Sequence, residues 1–267
     1  MTSEHDRQVR IDLDARTEGI VATVTISNAG RLNTMNSALM GQFVAEMAAL
    51  AANRKLRAVI LTGDGDKAFI GGADVKEMGL IRDAAGARAF ISRVHACCAA
   101  VRAIPVPTIA RIQGFALGAG LEMAAACDLR VASENAVVGM PEVKLGIPSV
   151  VEAALLPMLV GWGRTRQMLL LGENFDARQA FEWNFVERVT PRDRLDEAVE
   201  EWVGQILTCA PAALRLQKSL IRSWEDLPLR AAIAAGIDAF AAAYDTDEPK
   251  SKMRHFLDAQ AARKAKK

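Results

Sequence analysis

Apolar positions in the first fifty residues change from the spacing of a strand to the spacing of a helix. Residues 19–27, GIVATVTIS, alternate and are rich in β-branched side chains, which predicts a strand. Residues 28–36 then predict a turn. The apolar residues that follow have helical spacing: Leu39, Met40, Phe43, Val44, Met47 and Leu50. This region therefore predicts a strand, a turn and an amphipathic helix.

Short apolar segments further along the chain are typical of buried strands. They are too short for helices and too apolar for exposed strands, and they lie at residues 57–63, 107–114 and 129–132. Helical patterns separate them, at about residues 82–102 and 121–127. The order β, α, β, α, β predicts an α/β fold.

The sequence pattern becomes entirely helical after residue 191. Apolar residues spaced by three and four begin this part, and further helical segments cover residues 213–223, 231–244 and 252–264. We therefore expect a core domain at residues 1–191 and a helical domain at residues 192–267. Several of these helices have too few partners to bury their apolar faces, so docking on another subunit is expected.

Composition and charge exclude several classes of protein. Hydrophobic residues make up 51% and charged residues 24% of the chain, which is typical of a globular protein with a sizeable core. The net charge of +1 provides no general attraction for nucleic acid or for an anionic membrane. No apolar segment approaches the ~20 residues of a membrane helix. We expect neither nucleic acid nor a membrane as partner.

The N-terminus and the cysteines indicate a reducing compartment and no metal. Residues 1–19 contain several acids and no apolar core, so we expect neither a secretory signal nor a transit peptide, and the expected location is cytoplasmic. None of the four cysteines forms a C-x-x-C pair or lies at metal-ligand spacing from His5, His95 or His255. Buried thiols are a better interpretation of Cys97 and Cys98 than a nucleophile paired with histidine.

Two glycine-bearing segments are candidates for ligand binding, whereas hydrolase, P-loop, zinc-protease and dinucleotide motifs are missing. The segments are KAFIGGADVKEM at residues 67–78 and QGFALGAGLEMAAACD at residues 113–128. In each, small residues precede a helical pattern, so a ligand can approach free backbone N–H groups at a helix N-terminus. Two such donors on one oxygen would form an oxyanion hole. Alternatively, the glycines only allow close packing of helices against strands.

Two glutamates stand in segments of small and apolar residues. Glu122 is on the first turn of an apolar helical segment, and Glu142 directly follows Pro141 in VGMPEVKLG. Such acids are expected to have a raised pKa or a partner, as a proton-transfer group requires. The alternatives are a first-turn charge that complements the helix dipole for Glu122 and a solvated loop carboxylate for Glu142.

Four segments in order make the chain similar to the crotonase superfamily, the enoyl-CoA hydratase/isomerase family. They are NAGRLNTMN at residues 28–36, AFIGGADVKEM at 68–78, GFALGAGLEMAAACDLR at 114–130 and MPEVKLGIP at 140–148. The resemblance implies an α/β fold, a crotonase-type spiral of ββα units, followed by a C-terminal helical oligomerisation domain. It also implies a homotrimer or a dimer of trimers.

The resemblance also implies a site and a reaction. The N–H groups of Ala73 and Ala119 would bind the thioester oxygen of a 2-enoyl-CoA, while Glu122 activates water and Glu142 protonates the α-carbon. The residues that the resemblance places at the substrate are Arg31, Leu32, Gly72, Ala73, Asp74, Val75, Lys76, Ala119, Gly120 and Ser149. No cofactor or metal is implied, because CoA is part of the acyl-CoA substrate. The expected activity is enoyl-CoA hydratase, a lyase of fatty acid metabolism.

The sequence departs from the family pattern next to the expected acyl pocket. Where hydratases usually have IPGAGGTQRLPR, residues 147–158 are IPSVVEAALLPM, so Glu152 adds a third acid. One interpretation places Glu152 in the acyl pocket, where it would favour short acyl groups. The other places it in solvent at the start of a helix. An acid–glycine pair near the C-terminus is replaced by Ser251 and Lys252.

The sequence is compatible with two alternatives to a hydratase. One is an enoyl-CoA isomerase or another crotonase-type acyl-CoA lyase, in which one glutamate moves a proton and no water is added. The other is a non-catalytic RNA-binding relative, which the near-zero net charge and the two glutamates disfavour.

Overall fold

The computed structural model describes residues 8–265 and divides into two compact units, one ending at Val203 and the other beginning at Gly204. His5 lies outside the described residues, as do Glu4 and Asp6. The domain boundary that the sequence predicts, at residues 191 and 192, stays a prediction.

A six-stranded sheet forms the frame of the first unit. Its strands are β1 (Gln8–Arg16), β2 (Gly19–Ser27), β3 (Leu56–Gly63), β5 (Thr108–Ile112), β7 (Leu129–Ser133) and β10 (Arg188–Thr190), in the order β1-β2-β3-β5-β7-β10. Only β1 and β2 pair antiparallel, as a hairpin, and the other neighbours are parallel. The apolar central strands are buried, as expected of parallel strands covered on both faces.

A second, smaller sheet brings the candidate site together. Its strands are β4 (Ala68–Ile70), β6 (Phe115–Leu117), β8 (Val137–Gly139) and β9 (Asn174–Asp176), in that order. Strands β4, β6 and β8 are parallel, so their carboxyl ends lie at the same edge. The chain leaves this edge towards Ala73, Ala119 and Glu142, which are far apart in the sequence.

Helices cover these sheets. They are α1 (Ser37–Ala51), α2 (Val75–Met78), α3 (Ala84–Ala103), α4 (Ala119–Ala126), α5 (Leu156–Leu171) and α6 (Ala177–Glu182), while α7 (Leu195–Thr208) contains the boundary of the two units. Asn36 and Asp83 cap α1 and α3 by accepting hydrogen bonds from Leu39 N and Gly86 N. Every residue of α4 is buried, which makes a charged side chain on it costly unless it has a role.

The second unit contains three further helices, α8 (Pro211–Asp226), α9 (Leu229–Ala243) and α10 (Glu248–Ala265). The Trp224 indole donates a 3.0 Å hydrogen bond to Ala232 O and so ties α8 to α9. Large apolar side chains remain exposed along α9: Leu229, Ile233, Ile237 and Phe240. No helix within residues 8–265 is long and apolar enough to span a membrane.

Candidate active site

A cleft in the first unit brings together four residues that stand out in the sequence. Ala73, Ala119, Glu122 and Glu142 all line it, although they come from three different loops or helix starts. The rest of the lining is mostly apolar and includes Met78, Phe90, Val94, Leu117, Ile147 and Val150. An apolar cleft with a few converging polar groups is typical of a small-molecule site.

Two residues that line this cleft, Ala73 and Ala119, have backbone N–H groups without an acceptor among residues 8–265. Met35 N donates to Gly72 O at 3.0 Å and Asp74 N donates to Met35 O at 2.9 Å, which holds the loop on both sides of Ala73. Within the described part of the chain, the N–H of Ala73 has no acceptor. Ala119 is the first residue of α4, where N–H groups lack helical partners. These two donors are therefore available to a ligand.

Glu122 is a buried acid on the first turn of α4, with only 4% of its surface exposed. Its Oε1 accepts a hydrogen bond from Ala153 N at 3.1 Å. Burial raises the pKa of Glu122 to about 8, and this hydrogen bond opposes the rise, while the negative charges of Glu142 and Glu152 add to it. Glu122 can thus exchange a proton near neutral pH, in agreement with the expectation from its apolar surroundings.

Glu142 is half-buried at the start of a 3₁₀ helix, Glu142–Leu145. The Ser149 hydroxyl donates to its Oε2 at 2.8 Å. Desolvation raises the pKa of Glu142 above the usual value of 4.5, although the hydrogen bond from Ser149 works in the opposite direction. The interpretation of Glu142 as a freely solvated loop carboxylate is therefore wrong.

The other residues implied for substrate binding are distributed around this cleft. Gly72 and Val75 line it, whereas Arg31 lies 3.6 Å from Asp74 Oδ2. Asp74 Oδ1 accepts hydrogen bonds from the backbone N–H groups of Lys76 and Glu77 and so caps α2. Position 74 therefore links two loops at the edge of the cleft.

Leu32, Gly120 and Ser149 have close contacts within the protein itself. Leu32 adopts a left-handed conformation, and its carbonyl oxygen accepts from Gly71 N at 2.8 Å. Gly120 lies on the far side of α4, where a Cβ would be only 1.9 Å from Ile70 O. Close packing of α4 on β4 thus requires Gly120, while Ser149 reaches the cleft through Glu142.

Both interpretations of Glu152 are wrong. Glu152 lies in a 3₁₀ helix, Val151–Leu155, and only 7% of its surface is exposed, so it is not a solvated helix start. It is also not among the residues that line the cleft. Instead, Nδ1 of His95 on α3 donates to Glu152 Oε1 at 2.8 Å. Sequence reasoning missed this pair because no local pattern connects residues 57 positions apart.

The cysteines of α3 are buried, as expected of structural thiols. Burial raises the pKa of Cys97 to about 12, and burial with the charges of Glu152 and Glu122 also raises the pKa of Cys98. Both are therefore protonated and poor nucleophiles near neutral pH. Across residues 8–265, no cluster of histidine, cysteine or acidic side chains could hold a metal ion.

Comparison with known proteins identifies one enzyme family. The sequence matches the enoyl-CoA hydratase/isomerase family over residues 16–264. It is 34% identical to a short-chain-enoyl-CoA hydratase of Clostridium acetobutylicum over 242 residues, which cover 90% of this chain and 92% of the relative. It is 32% identical to a crotonyl-CoA hydratase of Syntrophomonas wolfei, over 91% of this chain and 93% of the relative.

Solved structures confirm the fold class. An enoyl-CoA hydratase from Bacillus anthracis superposes with a TM-score of 0.87 at 29% identity, over 93% of this chain and 96% of that chain. An enoyl-CoA hydratase from Mycobacterium smegmatis gives a TM-score of 0.89 at 27% identity, with the same shares covered. The α/β fold of crotonase type with C-terminal helices is therefore correct.

Proposed function

Because this chain belongs to the enoyl-CoA hydratase/isomerase family, we propose that it adds water across the double bond of a 2-enoyl-CoA thioester. The observation that carries this proposal is a cleft lined by two glutamates with raised pKa values and by two residues whose backbone N–H groups have no acceptor within the described part of the chain. CoA is part of the substrate. Hydration leaves the overall oxidation state unchanged, so the proposal includes no redox cofactor.

The N–H groups of Ala73 and Ala119 are proposed to bind the thioester oxygen. When water attacks the β-carbon, the electrons of the double bond move towards the carbonyl and negative charge develops on that oxygen. Donors that are already in place stabilise this charge, at roughly 3 kcal/mol for each donor. The hydrogen bonds on both sides of Ala73 fix the position of one N–H group, and the start of α4 fixes the position of the other.

The two glutamates are proposed to move the protons. Glu122 accepts a proton from water as the oxygen–carbon bond forms, and Glu142 delivers its proton to the α-carbon. A proton then passes from Glu122 to Glu142, which restores the starting state and balances the reaction. A base whose conjugate acid has a pKa near the working pH is efficient, and the pKa of about 8 for Glu122 meets this condition.

Either glutamate can hold the one proton that the pair needs. The burial of Glu122 favours its protonated form in the free protein, whereas the proposed reaction needs that proton on Glu142. These two arrangements have the same net charge, so the two acids titrate as a pair. The division of roles is proposed from the resemblance and from the different hydrogen bonds of the two acids.

Crotonyl-CoA is the substrate with which to test this function, since the relatives described above include a short-chain and a crotonyl-CoA hydratase. Hydration removes the conjugated double bond, so the absorbance of the enoyl thioester should fall when the protein is added. An isomerase would instead leave 2-enoyl-CoA unhydrated and would raise this absorbance with a 3-enoyl-CoA. If the absorbance rises with a 3-enoyl-CoA and does not fall with crotonyl-CoA, the proposed function changes from hydratase to isomerase.

The oligomeric state is also a proposal. We propose a homotrimer or a dimer of trimers, supported by the exposed apolar residues of α9, which include Leu229, Ile237 and Phe240. Analytical ultracentrifugation of the purified protein measures the mass in solution. A monomer at micromolar concentration would contradict this proposal without affecting the proposed reaction.

A further inference from the structure

The pair of His95 and Glu152 is a costly arrangement that the proposed reaction does not use directly. The Glu152 side chain is only 8% exposed, whereas the His95 side chain is 58% exposed. Glu152 Oε1 accepts from His95, but Oε2 is buried and has no hydrogen-bond partner within the described residues. A buried acid with one unsatisfied oxygen lowers stability, so a role other than stability has to be sought.

The residue before Glu152 has a strained backbone. Val151 has a φ of +41°, in the left-handed region that β-branched residues rarely adopt. Such a conformation persists only where the surrounding contacts hold it in place. The hydrogen bond from His95 to the adjacent Glu152 is a contact of this kind, because it fixes the turn to α3.

The same turn supplies a hydrogen bond to each of the two proposed catalytic glutamates. Two residues before Val151, the Ser149 hydroxyl donates to Glu142 Oε2 at 2.8 Å. Two residues after it, Ala153 N donates to Glu122 Oε1 at 3.1 Å. The turn therefore sets the positions of both carboxyl groups.

We propose that His95 and Glu152 are positioning residues of the hydration site, and this proposal rests on the proposed function. Their hydrogen bond holds the strained turn of residues 149–153 in the conformation that keeps Ser149 on Glu142 and Ala153 N–H on Glu122. Neither residue lines the cleft, so both act through the turn and have no contact with substrate.

The charges around Glu122 determine what loss of the pair should do. The groups that face Glu122 are Glu142, Glu152 and, on α3, Cys98. If the donor at position 95 is lost, the turn relaxes and Ala153 N–H moves away from Glu122. Because that hydrogen bond stabilises the carboxylate, its loss raises the pKa of Glu122 further.

Asparagine and leucine have nearly the same shape, so substituting each of them for His95 separates loss of the hydrogen bond from loss of packing. In His95→Asn the side-chain amide nitrogen replaces Nδ1 as donor, whereas His95→Leu has the same branched shape and no donor. We expect His95→Leu to lower kcat on crotonyl-CoA at least tenfold with KM changed less than twofold, and to move the alkaline limb of the pH profile upward. His95→Asn should keep at least half of the wild-type kcat.

A third variant tests the strain directly. Glycine adopts a positive φ without cost, so Val151→Gly should restore most of the lost kcat when it is combined with His95→Leu. If His95→Leu lowers only the melting temperature and keeps kcat, KM and the pH profile, the pair is merely structural and the proposal is overturned. Failure of Val151→Gly to restore activity in a folded double variant would also contradict it.

A readout without turnover keeps this proposal separate from the proposed function. Carbon-13 NMR of protein labelled at the glutamate carboxyl carbon gives the pKa of Glu122, with Glu122→Gln identifying its signal. A higher pKa in His95→Leu than in wild type and in His95→Asn supports the positioning role even if crotonyl-CoA is not hydrated. An unchanged pKa overturns the positioning role even if wild type is an active hydratase.

Discussion

The carboxylate of Glu142 lies directly against Gly118, so that a Cβ at position 118 would be 2.4 Å from Glu142 Oε1. Gly118 also has a φ of +52° and precedes the first residue of α4, Ala119. Glycine at this one position therefore serves two purposes. It allows the turn that exposes the Ala119 N–H, and it leaves room for the acid that is proposed to protonate the α-carbon.

Gly118→Ala is expected to reduce kcat for crotonyl-CoA about 100-fold, which is the usual effect of displacing a general acid. The added methyl group pushes the Glu142 carboxyl out of place, and steady-state kinetics measures the loss. Gly65→Ala is the matched control, because Gly65 also has a positive φ of +72° but its nearest neighbour is 3.7 Å away. A similar loss in both variants would assign the effect to backbone strain.

Glu122→Gln and Glu142→Gln should each lower turnover of crotonyl-CoA by at least ~100-fold, because each removes one proton-transfer group. Circular dichroism should remain unchanged, since glutamine has nearly the same volume and can still accept the hydrogen bonds from Ala153 N and Ser149 Oγ. A variant that retained more than about a tenth of wild-type turnover would have lost its proposed role.

Ala119→Pro removes one proposed oxyanion donor with little effect on the helix. Proline is well tolerated at the first position of a helix, and Ala119 has that position in α4. Activity should therefore fall by about 100-fold or more while the fold survives. Ala84→Pro is the control, since Ala84 is the first residue of α3 and is exposed. Full activity of a folded Ala119→Pro protein would contradict the oxyanion assignment.

The pH dependence of kcat/KM should be bell-shaped, because the glutamate pair works with one proton. Activity should fall as pH rises through about 8, where Glu122 and Glu142 are both ionised. It should also fall at low pH, below the raised pKa of Glu142, where both acids are protonated. Rates measured with crotonyl-CoA across the range in which the protein stays folded test this. A flat profile up to about pH 9 would exclude the pair as proton carriers.

Local sequence patterns predicted the central strands of the large sheet better than its edge strand β1. The apolar segments gave β2, β3, β5 and β7 because buried parallel strands have continuous apolar sequences. Strand β1 was missed, since most of its residues are exposed and its stability comes from pairing with β2 along its whole length. Pairing of this kind leaves no apolar periodicity in one strand.

In the site, too, features of the local sequence could be predicted, whereas contacts between distant residues could not. Glu122 and Glu142 stand out in the sequence because each is an acid among small or apolar residues. The contact of Glu152 with His95 could not be found in this way, because it depends on how α3 packs against the turn after Ser149. The family pattern has glycine at the position of Val151, so the sequence did mark this turn as unusual without showing its cause.

The raised pKa of Glu122 also predicts that Glu122→Gln stabilises the protein as pH increases. The folded state keeps the proton up to about pH 8, whereas an ordinary glutamate releases it near 4.5. Between these values the folded state binds more protons than the unfolded state, so the free energy of unfolding of wild type falls as pH rises. Glutamine has no proton to lose, and its advantage should grow over this window to as much as about 5 kcal/mol, at about 1.36 kcal/mol for each unit of pKa. Urea denaturation at several pH values measures it, with the exposed Glu134→Gln as control. A pH-independent difference between wild type and Glu122→Gln would mean that Glu122 ionises normally, and its role as a base with a raised pKa would have to be abandoned.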